Sequence, residues 1–145
     1  MVKDFKLEEV LKGDKDAISL CESLLYLSHV WDDLIDGDPA DSNQINTAFR
    51  LALVNVPRNP FYQRNFAALQ HELERSIYNW MDANILEKEG KLAASYVLRC
   101  SFDNFLIKCA EIVGGHDWSR SVSIAMRREI YNDFEDYVRE HHGMD

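Results

Sequence analysis

The sequence contains few of the residues that interrupt helices or form disulfides. Its 145 residues include three prolines, six glycines and three cysteines. Proline and glycine commonly mark the turns between short strands. Because the chain contains few of them, its sequence favours long helices. The cysteines are odd in number and form no Cys-x-x-Cys pair, so we expect free, buried thiols in a reducing compartment.

Basic residues are scarce as well. There are 16 lysines and arginines against 25 aspartates and glutamates, which gives a formal net charge of −9. Because a surplus of basic side chains supplies affinity for nucleic-acid phosphates, this balance disfavours a nucleic-acid partner. No apolar run reaches the length of a membrane span, and the first residues lack a signal-type hydrophobic segment. We therefore expect a cytoplasmic protein.

Helical periodicity runs through almost the whole chain, and 46% of the residues are hydrophobic. The pattern predicts a single all-α domain over residues 1–145, built as a bundle of about six helices. Asp14 or Asp16 is expected to cap a long helix that ends at Gly37, and Asp41, Asn59 and Asp117 to cap later ones. The expected later helices cover residues 41–56, 60–87, 92–113 and 118–141.

An acidic stretch closes the long second helix. Asp32, Asp33 and Asp36 form the pattern Asp-Asp-x-x-Asp, and His29 lies one turn earlier. On a helix these side chains share one face, where like charges repel each other. They also lie at the helix C-terminus, whose dipole already disfavours negative charge. A bound cation would relieve both effects, whereas the alternative is a solvated acidic helix end.

A second acidic stretch lies on the predicted last helix. Asn132, Asp133, Asp136 and Glu140 are spaced at three and four residues, so they also share a face. Carboxylate and amide oxygens are the hard ligands that Mg²⁺ prefers. Two such stripes predict a shared magnesium site. The alternative for this stripe is an exposed face that pairs with neighbouring arginines such as Arg128 and Arg139.

The two stretches resemble the aspartate-rich motifs of the all-helical isoprenoid synthases, the family of terpene cyclases and of squalene and phytoene synthases. Asp32-Asp-Leu-Ile-Asp36 is similar to the first motif, and Asn132-Asp-Phe-Glu-Asp136 is similar to the second, with Asn132 replacing an aspartate. The resemblance implies an isoprenoid-synthase-like fold in which Mg²⁺ ions grip a prenyl diphosphate and promote its ionisation. The metal ligands would then be Asp32, Asp33, Asp36, Asn132, Asp133, Asp136 and Glu140, and the candidate substrate-binding side chains are His29, Arg99 and Arg128.

Two other functions stay open at this point. An all-helical nucleotide pyrophosphatase would also place acidic stripes on packed helices, and it would require a homodimer or larger oligomer to complete its site. A small helical accessory protein with no enzymatic activity would need neither metal nor substrate. Whether the chain is an enzyme is therefore an open question at the level of sequence.

Overall fold

The structure, a computed structural model, describes residues 6–141, and this part of the chain is helical and contains no strand. A π-helical segment, Leu51–Asn55, joins the helices Ser42–Arg50 and Val56–Arg58 without a break. The all-α prediction is confirmed. No helix within residues 6–141 combines the length and apolar character that a membrane crossing requires. Helices α1 to α9 span Leu7–Val10, Lys15–Asp36, Ser42–Arg50, Val56–Arg58, Pro60–Arg64, Phe66–Lys88, Leu92–Arg99, Phe102–Gly114 and His116–His141.

Three helix boundaries follow from local hydrogen bonds that the sequence predicts. The Asp14 carboxylate caps α2 by accepting from the Ala17 amide at 3.0 Å. Asp41 and Gln44 form a reciprocal capping box at the start of α3. Gly37 ends α2 with a φ of 75°, a left-handed conformation that glycine adopts without steric cost. The predicted start and end of α2 are thus confirmed.

The break expected between the helices predicted over residues 41–56 and 60–87 is only partly correct. The continuous helical segment that begins at Ser42 extends through Pro57 to Arg58. It ends at Asn59, whose backbone is extended. A proline inside a regular helix clashes with the carbonyl of the preceding turn. Here the wider π turn precedes Pro57 and relieves that clash.

Two predicted long helices are each divided in two. Asn65 separates α5 from α6, and its side-chain amide donates to the Phe61 carbonyl at 2.9 Å. Near Ser101 the second division separates α7 from α8, and the serine hydroxyl donates to the Leu98 carbonyl at 2.6 Å. In both cases a short polar side chain competes with the backbone for a helix carbonyl. The last helix begins at His116, so Asp117 lies in its first turn instead of capping it.

Residues 13–66 form one unit of the chain. In this unit α2 packs against α3, the π segment, α4 and α5. The side chain of Asn59 links α5 to α2. Its Oδ1 caps α5 by accepting from the Tyr62 backbone amide at 3.0 Å, and its Nδ2 donates to the Asp16 backbone carbonyl at 2.8 Å. The buried core comprises Ala17, Leu20, Cys21, Leu24, Val30, Val56, Phe61 and Tyr62.

Residues 6–12 and 67–141 belong to the second unit. Its central helix is α8, along which α9 packs, and α7 also contacts α9. The Trp118 indole donates to the Val10 carbonyl at 2.9 Å and so joins α9 to α1. A β-carbon added at Gly114 would lie 2.1 Å from Cδ1 of Trp118, so only glycine fits beneath the indole. The fully buried large side chains are Leu11, Leu69, Phe105, Leu106 and Met126.

All three cysteines are buried and none forms a disulfide, as the sequence predicts. They are Cys21 in the first unit and Cys100 and Cys109 in the second. Burial also raises the pKa of the Cys100 thiol, so this group is held in its unreactive protonated form. Cys100 therefore acts as a small apolar side chain.

Candidate functional site

The first acidic stretch forms the last two turns of α2. Asp36 and His29 are exposed, whereas Asp32 and Asp33 are half-buried. The Gly37 amide donates to the Leu34 and Asp33 carbonyls, which fixes the helix end next to these acids. The carboxylates therefore lie where the negative end of the helix dipole disfavours them, as the sequence predicts.

The second acidic stretch lies in the C-terminal part of α9. Asn132, Asp136 and Glu140 are exposed, and Asp133 is half-buried. Asp136 forms an exposed ion pair with Arg139 one turn later. This is one of the arginine pairs that the exposed-face alternative expects for the stripe, and such exposed pairs contribute little to stability.

No group of three or more histidine, cysteine, aspartate or glutamate side chains within residues 6–141 is arranged to hold a metal ion. The first acidic stretch belongs to the unit of residues 13–66, and the second belongs to the other unit. The joint magnesium site that the two motifs would form, and the prenyl diphosphate it would hold, stay predictions.

The candidate substrate-binding arginines have different surroundings. Arg128 is exposed on α9. Arg99 is held by α6, where its Nη2 lies 2.7 Å from Oε2 of Glu87 and 2.8 Å from Oδ1 of Asn84. Its guanidinium also lies over the Trp80 ring, 5.1 Å from the ring centroid. Because the Arg99 side chain is only 14% exposed, its positive charge interacts mainly with groups inside its own unit.

Glu87 is the centre of a polar cluster that the sequence reading did not identify. Its Oε2 accepts from Arg99 Nη2 and from the Tyr137 hydroxyl, each at 2.7 Å, and lies 3.3 Å from Nε2 of His141. We call Asn84, Glu87, Ser95, Arg99, Tyr137 and His141 the Glu87 cluster. Its members come from α6, α7 and α9, so one carboxylate connects three helices.

Further contacts extend the Glu87 cluster, although the buried Nε of Arg99 has no hydrogen-bond partner within residues 6–141. Ser95 donates to the Ala83 carbonyl at 2.9 Å, and its hydroxyl lies 3.0 Å from that of Tyr137. His141 Nδ1 lies 2.8 Å from the Tyr137 carbonyl, the distance of a donated N–H. Burial, together with the neighbouring Glu87 carboxylate, raises the pKa of the Tyr137 hydroxyl. The cluster is thus a network in which the buried Ser95 hydroxyl and the half-buried Tyr137 side chain surround an ion pair.

The residue types of the Glu87 cluster occur in catalytic sites, but its geometry favours a structural role. Ser95 has no exposed surface, so a substrate cannot reach its hydroxyl. Oε2 of Glu87 is already engaged by Arg99 and Tyr137, which favours a role for this carboxylate in holding the helices together. A polar network of this kind holds its helices in one arrangement. Its sequence signal was weak because its members span residues 84–141.

An exposed apolar surface is the most distinctive feature of the unit of residues 13–66. Ile45, Phe49 and Leu53 follow one another at intervals of four residues along α3 and the π segment, and they are between 41% and 69% exposed. We call these three residues the α3 stripe. Helix α3 itself contains no buried residue. An amphipathic helix normally buries such a face.

The chain matches no protein-family model, and neither the curated proteins nor the solved structures contain a match to it. The resemblance to the isoprenoid synthases accordingly depends on the two motifs. The structure adds the exposed α3 stripe, the acidic helix ends and the Glu87 cluster as features that bear on function.

Proposed function

We propose that this protein is a helical binding protein that docks an amphipathic helix of a partner protein on the α3 stripe. The observation that carries the proposal is the exposure of Ile45, Phe49 and Leu53 along α3 and the π segment, neither of which contains a buried residue. Exposed apolar patches of this kind commonly mark protein interaction sites. This function corresponds to the non-enzymatic alternative left open by the sequence.

The spacing of the α3 stripe suits a helical partner. Side chains four residues apart form a ridge that inserts between the ridges of a second helix. Phe49 is 69% exposed at the centre of the stripe. A large aromatic side chain at the centre of an interface is a typical source of binding energy. Ile45 and Leu53 would surround it and exclude water.

The charges beside the α3 stripe define the chemistry of the partner. Asp36, Asp38 and Asp41 are exposed, and Asp41 caps the N-terminus of α3. Arg50 is exposed immediately after Phe49. A complementary helix would carry lysine or arginine at the end that faces the aspartates and an acidic residue near Arg50. Such complementary charges select the orientation of the partner and accelerate its association.

Peptide binding tests this proposal. The probes are two amphipathic helical peptides with the same leucine seam, one with lysines at one end and one with glutamates there. Fluorescence anisotropy should show saturable binding of the lysine peptide, weakened by salt, and little binding of the glutamate peptide. Phe49→Glu should reduce the affinity at least about tenfold. The matched control is Tyr131→Glu on α9, because Tyr131 is also highly exposed. Equal binding by wild type and Phe49→Glu would refute the proposal.

We propose a second candidate function, Mg²⁺-dependent binding of a diphosphate such as a prenyl diphosphate, at the end of α2. It is supported by the position of Asp33 and Asp36 in the last turn of that helix, where a cation would relieve the unfavourable dipole. Carboxylates at such a position suit Mg²⁺ held together with phosphate oxygens.

Thermal unfolding with Mg²⁺, with and without pyrophosphate, tests the second candidate. Ligand at about 100 times its Kd should stabilise the wild type by about 2.7 kcal/mol. Asp33→Asn should lose this stabilisation, whereas Asp82→Asn, an exposed aspartate of α6, should keep it. If pyrophosphate with Mg²⁺ does not raise the melting temperature of the wild type, the second candidate is wrong.

A further inference from the structure

A second exposed apolar surface lies on α6, in the other unit of the chain. Ile77, Tyr78, Met81 and Ile85 follow one another along one side of the helix and are between 40% and 59% exposed. We call these four residues the α6 stripe. Their spacing of three and four residues keeps them on one face. The opposite face of the helix carries the buried residues Leu69 and Ala83.

Apart from Tyr78, whose symmetric position is occupied by Asn84, the α6 stripe is symmetric about Met81. An isoleucine lies four residues before it, at Ile77, and another lies four residues after it, at Ile85. Glu74 and Lys88 lie seven residues away on either side, and both are exposed. Seven residues are close to two helical turns, so these charges share the face of the stripe. The pattern is apolar at its centre and has opposite charges at its two ends.

We propose that two copies of this chain pair through α6, antiparallel and related by a twofold axis at Met81. In this arrangement Met81 contacts itself, and each Ile77 packs against Ile85 of the second copy. Glu74 of one copy then faces Lys88 of the other. A twofold interface uses the same patch on both copies and must be self-complementary, which this pattern satisfies.

The charges exclude the parallel arrangement of the same two helices. If α6 paired in parallel, Glu74 would face Glu74, and Lys88 would face Lys88 of the second copy. Like charges placed together oppose association, whereas the antiparallel pairing brings opposite charges together twice. The end charges thus select the orientation while the apolar centre supplies the affinity.

The size of the α6 stripe indicates a reversible dimer. At about 200 Å² for a whole large side chain, the four exposed fractions amount to roughly 400 Å² per copy. A stable complex commonly buries about 800 Å² per partner. We therefore expect monomer and dimer to exchange with protein concentration. This inference uses another helix and another unit than the α3 stripe, so it does not rest on the proposed binding function.

Charge reversal tests the orientation. Sedimentation equilibrium should show that Glu74→Lys or Lys88→Glu alone weakens dimerisation about threefold to thirtyfold, because each change places like charges together at both ends. The double variant, which carries both changes, should recover the wild-type dimerisation constant. Absence of a dimer in the wild type, or failure of the double variant to recover, would overturn the proposal.

Cysteine cross-linking tests the axis itself. Met81→Cys would bring two thiols together across the twofold, so mild oxidation should give a covalent dimer. The native cysteines are buried, which leaves little background. Val97→Cys is the matched control, because Val97 is also highly exposed but lies on α7. Equal yields of covalent dimer from the two variants would contradict an axis at Met81.

Discussion

Oε2 of Glu87 and the hydroxyl of Tyr137 lie 2.7 Å apart and join α6 to α9 across 50 residues of sequence. The same oxygen holds Arg99 of α7. Because a single carboxylate satisfies both donors, loss of that carboxylate affects three helices together. The Glu87 cluster therefore gives direct predictions about stability.

Replacement of Glu87 by alanine should destabilise the protein by about 2 kcal/mol, because it leaves the largely buried Arg99 without its carboxylate partner. Urea unfolding followed by circular dichroism measures the change. Glu89→Ala is the control: its ion pair with Lys91 is exposed, so the expected change is below about 0.5 kcal/mol. Equal losses in the two variants would contradict the role of the cluster.

Tyr137 should make the protein sensitive to alkali. Burial raises the pKa of Tyr137 in the folded state, so its neutral hydroxyl contributes stability that is complete below the unfolded pKa of about 10. As the pH rises above that value, the unfolded chain ionises and the contribution is lost. The melting temperature of the wild type should therefore fall more steeply than that of Tyr137→Phe between about pH 9.5 and 11.

One comparison refines the alkaline prediction. Burial also raises the pKa of Tyr96, which donates to the Ile130 carbonyl at 2.7 Å, so Tyr96→Phe should reduce the slope as well. Identical slopes for the wild type and Tyr137→Phe would show that the Tyr137 hydroxyl titrates normally.

Asp103 should produce a pH dependence in the acid range. It is buried in α8, and this burial raises the pKa of its carboxyl group. The neutral form is favoured by folding, so its contribution is complete below the unfolded pKa of about 3.9 and is lost as the pH rises through the higher folded pKa. Relative to Asp103→Asn, the wild type should become less stable over that interval. Urea unfolding at a series of pH values measures this difference, and a difference that does not vary with pH would refute it.

Gly114→Ala should cost about 1–3 kcal/mol, because the added β-carbon would lie 2.1 Å from Cδ1 of Trp118 and force the indole to move. That movement also strains the hydrogen bond from Trp118 to the Val10 carbonyl. Thermal unfolding measures the loss. In a Trp118→Ala background the same change should cost much less, and equal costs in the two backgrounds would mean that the indole is not the cause.

The parts of the fold that the sequence predicts are those fixed by neighbours in the chain. Asp14, Gly37, Asp41 and Asn59 set helix boundaries through contacts within a few residues, and each occupies its expected place. The division at Ser101 could not be foreseen, because its bond to the Leu98 carbonyl is of the same kind that Ser28 makes to the Leu25 carbonyl inside the unbroken α2.

The candidate sites divide in the same way. The acidic ends of α2 and α9 are local patterns, and the structure places them on the predicted helices. The Glu87 cluster depends on tertiary packing, which brings residues 84–99 close to residues 137–141. The spacing of apolar residues along the sequence does not predict such contacts. Exposure of the α3 stripe was hidden for the opposite reason: its spacing predicts burial, and only the structure shows that the stripe faces solvent.

The π segment Leu51–Asn55 has a consequence for that stripe. Leu53 is 60% exposed and Val56 is buried, although residues three apart lie on the same side of a regular α-helix. Because the π turn is wider, the side chains of Leu53 and Val56 point in different directions. The helical segment that begins at Ser42 therefore exposes the α3 stripe to solvent and then places the Val56 side chain in the core. This local change of helical pitch therefore separates the part of the segment whose apolar side chains face solvent from the part whose side chain, Val56, packs in the core.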